Sequence, residues 1–62
     1  MNRTAAVHIV YMGYSAQNML LEVQFHKDGR RYRYLEVPED LWYRMKQASS
    51  IDRFFNTFIL NR

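Results

Sequence analysis

The amino-acid sequence predicts an α+β domain, in which a three-stranded antiparallel β-meander is followed by two α-helices packed on one face. Two observations support this. Segments with strand character all come before residue 37, and the signals that start helices come after it. An Asp28-Gly29 pair also separates two strand-like segments, and this dipeptide is the strongest short-range signal for a β-hairpin. The chain has only 62 residues, so we expect one domain over residues 1–62.

The first predicted strand covers residues 7–12, which are rich in β-branched and aromatic side chains. Residues 1–6, which precede it, are expected to be a flexible N-terminal segment. Gly13 marks a bulge or a bend near the end of the strand. The polar residues 15–18 then predict a loop.

The second predicted strand, residues 19–26, alternates between apolar and polar side chains, as a half-buried strand does. The third strand covers residues 31–36. If Asp28 and Gly29 are the two loop residues of a type I′ turn, the register pairs Phe25 with Tyr32 and Val23 with Tyr34. This register places the two tyrosines on the core face of the sheet. The arginines that alternate with them lie on the other face.

Two helices are predicted after Pro38, a residue that suits the first helical position. The acidic residues 39–40 favour the positive end of the helix dipole. The apolar stripe of the first helix consists of Leu41, Met45 and Ala48, flanked by Trp42. Ser49 and Ser50 form a second helix-start signal. The apolar side of the second helix consists of Phe54, Phe55, Phe58 and Ile59.

The composition argues against several classes of function. The chain has no cysteine, which excludes a disulfide framework and fits a reducing, cytoplasmic location. His8 and His26 have no evident third ligand, so no metal site is predicted. No serine or carboxylate has partners that would complete a catalytic set, and neither glycine lies in a phosphate-binding loop. We therefore expect no cofactor, no enzymatic activity and no membrane-spanning segment.

A cluster of basic residues surrounds the predicted hairpin. The candidate nucleic-acid-binding residues are Lys27, Arg30, Arg31 and Arg33. Lysine and arginine neutralise phosphate groups, and a net charge of +3 permits an anionic partner. The alternative is a solvated face whose charges prevent the sheet from pairing with other sheets. The residues alone leave both interpretations open.

A second candidate surface lies on the last helix. Adjacent helical residues cannot both face the core, so one member of each aromatic pair, Trp42-Tyr43 and Phe54-Phe55, is expected at the core edge or in an interface. The candidate interface residues are Ile51, Phe54, Phe58 and Leu60. A partner there would be another protein or a second copy of this chain, which would make a homo-oligomer.

Several short motifs, taken in order, resemble the KTSC domain family. The resemblance runs from about residue 7 to residue 59. It rests on Leu21-x-Val23-x-Phe25, Gly29, Tyr32-Arg33-Tyr34, Val37-Pro38, Ala48-x-Ser50, Phe54-Phe55-Asn56 and Ile59. The Tyr-x-Tyr hallmark of the family falls on Tyr32 and Tyr34. We expect the residues of both aromatic motifs to lie mainly in the core: Tyr32, Tyr34, Phe54, Phe55 and Asn56.

The resemblance implies a domain of unknown function for which RNA binding has been suggested. The family takes its name from the C-terminal domain of some lysyl-tRNA synthetases, and it also occurs as stand-alone bacterial and phage proteins. The chain departs from the family where Ser-Lys-Gly is usual, because Ser50 is followed by Ile51 and Asp52. That change removes positive charge and favours a protein partner.

We therefore predict a small non-enzymatic KTSC-like module whose basic hairpin contacts the phosphate backbone of RNA or tRNA. The alternative is a protein-interaction or self-associating module that uses the apolar residues of the last helix.

Overall fold

The computed structural model describes residues 8–61, so the predicted flexible segment 1–6 lies outside the described residues. Three strands form one antiparallel sheet in the order β1-β2-β3, and two helices follow. The elements are β1 (Ile9–Ser15), β2 (Leu20–Phe25), β3 (Arg31–Tyr34), α1 (Glu39–Gln47) and α2 (Ile51–Phe55), which continues as a π-helical segment (Asn56–Leu60). The predicted α+β fold is confirmed. No helix in residues 8–61 combines the length and the apolar character that crossing a membrane requires.

The β2–β3 hairpin has a different register from the predicted one. The observed pairs are Leu21–Tyr34 and Val23–Tyr32, so the predicted pairing is wrong by two residues. The turn occupies residues 26–29, and the N–H of Gly29 donates to the carbonyl of Phe25 at 3.1 Å. Within this turn only Gly29 has a positive φ, +67°, whereas a type I′ turn needs one at both central residues. A shift of two leaves every side chain on its predicted face.

The irregularity in β1 lies at Val10 rather than at Gly13. The pairing with β2 shifts register between Ile9 and Tyr11, so Val10 is the extra residue of a bulge. Gly13 pairs regularly with Glu22. A Cβ atom at Gly13 would stand 2.8 Å from the Tyr11 hydroxyl, so the Tyr11 side chain uses space that only glycine leaves free.

The helices pack on the face of the sheet that carries alternate residues of β2. Among residues 8–61, the buried apolar side chains come from the sheet, the helices and the segment between them, and they form one core: Leu21, Val23, Val37, Met45, Phe55 and Ile59. Phe55 lies at its centre, because its ring meets the rings of Phe25 and Tyr34 nearly edge-on, at 5.6 and 5.3 Å between centroids. The other face of the sheet carries polar and charged residues together with Tyr11, Gly13 and Leu20.

The segment between β3 and α1 is anchored at Val37. β3 ends at Tyr34 rather than at residue 36, because Glu36 has a φ of 58° that a strand does not allow. The Val37 N–H donates to the Met19 carbonyl at 2.9 Å, and the Tyr14 hydroxyl donates to the Val37 carbonyl at 2.6 Å. These bonds hold the start of α1 against the β1–β2 end of the sheet.

The helix boundaries differ slightly from the prediction. α1 begins at Glu39, and Pro38 takes the N-cap position instead of the first helical one. Ser50 caps α2, because its hydroxyl accepts a hydrogen bond from the Arg53 N–H at 3.2 Å. Ser49 makes no such cap.

Candidate nucleic-acid interface

The open face of the sheet, opposite the helices, is the candidate interface. Alternation along the three strands places on it Tyr11, Gly13, Glu22, Gln24, Arg31 and Arg33. The side chains of Arg31 and Arg33 are 53% and 71% exposed. Two of the four predicted phosphate-binding residues therefore lie on one solvent-facing surface, on the edge strand β3.

Glu22 lies between these two arginines on the central strand. Its Oε2 is 3.5 Å from Nε of Arg33, and its Oε1 is 4.0 Å from Nη1 of Arg31. Exposed ion pairs of this kind contribute at most about 1 kcal/mol to stability. Since one carboxylate faces two guanidinium groups, this part of the open face keeps a positive charge.

Arg31 is held in place by two further contacts. Its guanidinium carbon lies 4.2 Å from the centroid of the Tyr11 ring, which is a cation–π distance. Its Nε donates to Oε1 of Gln24 at 3.2 Å. The guanidinium group is therefore oriented by three strands at once: Tyr11 of β1, Gln24 and Glu22 of β2, and its own backbone on β3.

The other two predicted phosphate-binding residues, Lys27 and Arg30, are exposed at the β2–β3 turn. Asp28, between them, is engaged within the turn. Its carboxylate accepts hydrogen bonds from the Tyr32 hydroxyl at 2.6 Å and from the Arg30 N–H at 3.0 Å. The Tyr32 bond, followed by the Arg30 bond, lowers the pKa of Asp28, and the same Tyr32–Asp28 bond raises the pKa of Tyr32.

The two tyrosines of β3 lie on the core face of the sheet. Tyr34 is half-buried against Phe55, and this burial raises the pKa of its phenol. Tyr32 lies at the rim of the core rather than within it, because 37% of it is exposed while its ring centroid is 5.4 Å from that of Phe25. Neither ring faces the same side of the sheet as Arg31 and Arg33.

Comparison with known proteins matches this architecture to one family. The family model for the KTSC domain matches residues 7–62. The chain belongs to the KTSC domain family. Among solved structures, a KTSC domain protein from Yersinia pestis is 39% identical, with a TM-score of 0.81, over 87% of this chain and 75% of that one. None of the curated proteins matches.

The Phe-Phe-Asn motif of this KTSC domain lies where α2 becomes the π-helical segment. Phe55 is fully buried, whereas Phe54 is half-buried with its ring centroid 4.5 Å from that of Phe58. Asn56 is half-buried, and its N–H donates to the carbonyls of Asp52 and Arg53. Only the second phenylalanine therefore lies fully in the core.

The four predicted interface residues divide into two pairs in this KTSC domain. Ile51 and Phe54 are half-buried against the core. Phe58 and Leu60, on the π-helical segment, are 43% and 45% exposed. A groove of about 220 Å³ lies beside the Phe58 ring. The lining of this groove includes Ser50, Arg53, Phe54, Thr57 and Phe58.

The two histidines lie close together, as the pairing of β1 with β2 requires, with ring centroids 5.8 Å apart. His8 also contacts Asp52, at 3.2 Å between Nδ1 and Oδ2. The second carboxylate oxygen of Asp52 accepts the Ile9 N–H at 3.0 Å. Within the described part of the chain no group of three histidine, cysteine or acidic residues could hold a metal ion. The contacts of Asp52 tie α2 to the start of β1.

Tyr11, the aromatic residue of the open face, was not among the predicted site residues. Tyr11 is 40% exposed and lies beside Arg31. The available signal was Gly13, two residues further along and therefore on the same face of a strand. A glycine at that spacing leaves room for a neighbouring ring to lie along the sheet.

Proposed function

We propose that this KTSC domain is a non-enzymatic RNA-binding module that contacts the phosphate backbone through its β2–β3 hairpin. The contacting residues are Lys27, Arg30, Arg31 and Arg33. The observation that supports this most is that all four are exposed, on one edge strand and its turn. The carboxylates of Glu22 and Asp28 lie beside them, and the second is already bound within the turn.

The orientation of Arg31 adds to this proposal. A side chain held by Tyr11 and Gln24 has less rotational freedom left to lose when it binds an anion. Arginine also binds phosphate through two parallel hydrogen bonds, which favours a guanidinium group that is already oriented.

The test measures binding of labelled single-stranded RNA and of tRNA by fluorescence anisotropy over a series of salt concentrations. Each phosphate neutralised on a single strand adds about 0.7 to the slope of log affinity against log salt. We expect the Arg31→Ala/Arg33→Ala variant to bind more weakly, with a slope about 1.4 smaller.

The matched control is Arg44→Ala/Arg53→Ala, which removes the same charge from exposed positions on α1 and α2. It should leave the slope unchanged. Equal losses in both double variants would mean that net charge, rather than the hairpin, attracts the RNA. No binding by the unmodified protein at low salt would refute the proposal.

A second candidate function is self-association through the π-helical segment. It is favoured by the exposure of Phe58 and Leu60 and by the groove that Phe58 and Phe54 help to line. Sedimentation across a range of concentrations tests it, with Phe58→Ser as the variant. A monomer mass at every concentration would exclude self-association.

A further inference from the structure

We infer that the open face holds unpaired nucleobases, with Tyr11 and Arg31 as the stacking surface and Glu22 as the acceptor for a base amino group. This inference rests on the proposed RNA-binding function and deepens it. It names the partner as single-stranded RNA with amino-bearing bases, and it adds base contacts to the phosphate contacts of the hairpin.

The site is a shallow depression of about 230 Å³ on the open face. Its lining consists of Tyr11, Gly13, Tyr14, Ser15, Leu20 and Glu22. Gly13 contributes no side chain to it, and the room that this leaves is taken by the end of the Tyr11 ring, whose hydroxyl lies 2.8 Å from where a Cβ atom would stand. The depression combines an aromatic wall, an apolar edge and one carboxylate, which are the surfaces that a flat polar ring can use.

The aromatic wall can take part in stacking. Tyr11 is 40% exposed, and the Arg31 guanidinium 4.2 Å from its ring centroid adds a second planar group. Proteins that bind RNA stack unpaired bases on tyrosine rings and on arginine planes. The bases of a duplex are already stacked on each other, so only single-stranded RNA presents them to such a surface.

Glu22 supplies selectivity among the bases. A carboxylate only accepts hydrogen bonds, and its two oxygens offer about four acceptor positions. The two arginine contacts, at 3.5 and 4.0 Å, leave acceptor positions unused. Cytosine and adenine carry an exocyclic amino group that donates to a carboxylate, whereas the corresponding group of a uracil-type base is a carbonyl oxygen. We therefore expect a preference for cytosine over uracil.

The charge around the depression favours a polyanion over an apolar partner. Two residues of its lining contact arginines of β3, because Tyr11 lies beside Arg31 and Glu22 beside Arg33. Lys27 and Arg30 continue the positive surface into the turn. A nucleotide strand that places one base in the depression would run its phosphates along this edge. The same four cations therefore serve the proposed function and this site.

The experiment compares three labelled probes of equal length at one salt concentration: oligocytidylate, oligouridylate and an abasic ribose-phosphate oligomer. We expect the unmodified protein to bind them in that order of affinity. Tyr11→Val should weaken binding of both base-containing probes by at least about fivefold, the lower end of the cost of losing one base stack. Binding of the abasic probe should fall by less than that, because it loses only the Tyr11 contact that orients Arg31, and Tyr11→Phe should bind like the unmodified protein.

Glu22→Gln should change the three affinities in different ways rather than weaken all of them. Removing one negative charge should tighten binding of the abasic and uridylate probes, while the preference for cytidylate over uridylate disappears. This crossing of effects separates a base contact from a general electrostatic change. Circular dichroism spectra check that each variant is folded, and Tyr11→Phe and Glu22→Gln keep the test decisive if Tyr11→Val unfolds.

The outcomes distinguish this inference from the function on which it rests. Equal affinity for all three probes, unchanged in Tyr11→Val, would refute base stacking and leave phosphate-backbone binding intact. No binding of any probe would refute both. In that case a sedimentation mass above that of the monomer would favour a protein partner.

Discussion

At the scale of single residues, Asp28 organises the β2–β3 turn with one carboxylate. Its two hydrogen bonds, from the Tyr32 hydroxyl and from the Arg30 N–H, favour the ionised carboxylate and lower its pKa from the ordinary 3.8. A carboxyl group with a lowered folded-state pKa contributes stability above its unfolded pKa. That contribution is lost as the pH falls through the folded-state pKa.

The Tyr32→Phe variant tests this pair. We expect the pKa of Asp28 to rise part of the way back toward 3.8, because its strongest hydrogen bond is lost and the Arg30 bond remains. An NMR titration of the Asp28 carboxyl carbon measures the change. Tyr34→Phe is the control, since Tyr34 has no hydrogen bond to Asp28, and an unchanged Asp28 pKa in Tyr32→Phe would contradict the assignment.

At the scale of elements, the turn rather than the strands sets the register of the hairpin. The alternation of β2 and β3 is compatible with any shift by two, because each such shift keeps the same side chains on the same face. The turn of residues 26–29 fixes one of these registers, because the Gly29 N–H donates a hydrogen bond to the Phe25 carbonyl. The positive φ of Gly29 completes that turn.

The Gly29→Ala variant measures the backbone cost of this turn. No atom lies within 4 Å of a Cβ built there, so the only penalty is the left-handed conformation. We expect a loss of about 1–2 kcal/mol in the free energy of unfolding, measured by urea denaturation. Gly29→Asn should lose less, because asparagine tolerates this conformation, and a Gly29→Ala protein as stable as the unmodified one would disprove the argument.

At the scale of the whole molecule, stability depends on a small core. Among the described residues, six buried apolar side chains join the sheet to the helices. Phe55 connects the layers, because it contacts Phe25 of β2 and Tyr34 of β3 from the helical layer. A domain of this size has a total stability of roughly 3–9 kcal/mol, so one large core side chain is a substantial part of it.

The adjacent phenylalanines should therefore differ sharply on truncation. Phe55→Ala should cost about 3–5 kcal/mol, which is about a third or more of the total stability. Phe54→Ala should remain folded with a lower melting temperature, because its ring is half-buried beside Phe58. Thermal unfolding followed by circular dichroism compares the two variants. Equal decreases in melting temperature would show that Phe55 contributes no more to the core than Phe54 does.

Much of the fold was predictable because the decisive patterns are local. The alternation of Leu21, Val23 and Phe25 indicated which face of β2 is covered, and Ser50 indicated the start of α2. The candidate site was predictable only in part. Arg31 and Arg33 follow from the alternation of β3, whereas Tyr11 depends on a bulge at Val10 that no local pattern marks.

The sequence by itself determined the order of the elements and the face on which each residue of β2 and β3 lies. The alternation of side chains between the two faces depends only on neighbouring residues, and a register shift of two leaves it unchanged. The tertiary structure alone decided the register, the bulge and the meeting of Tyr11 with Arg31 across the open face. Those features depend on contacts between residues far apart in the chain, where the packing of one strand on another selects among locally equivalent arrangements.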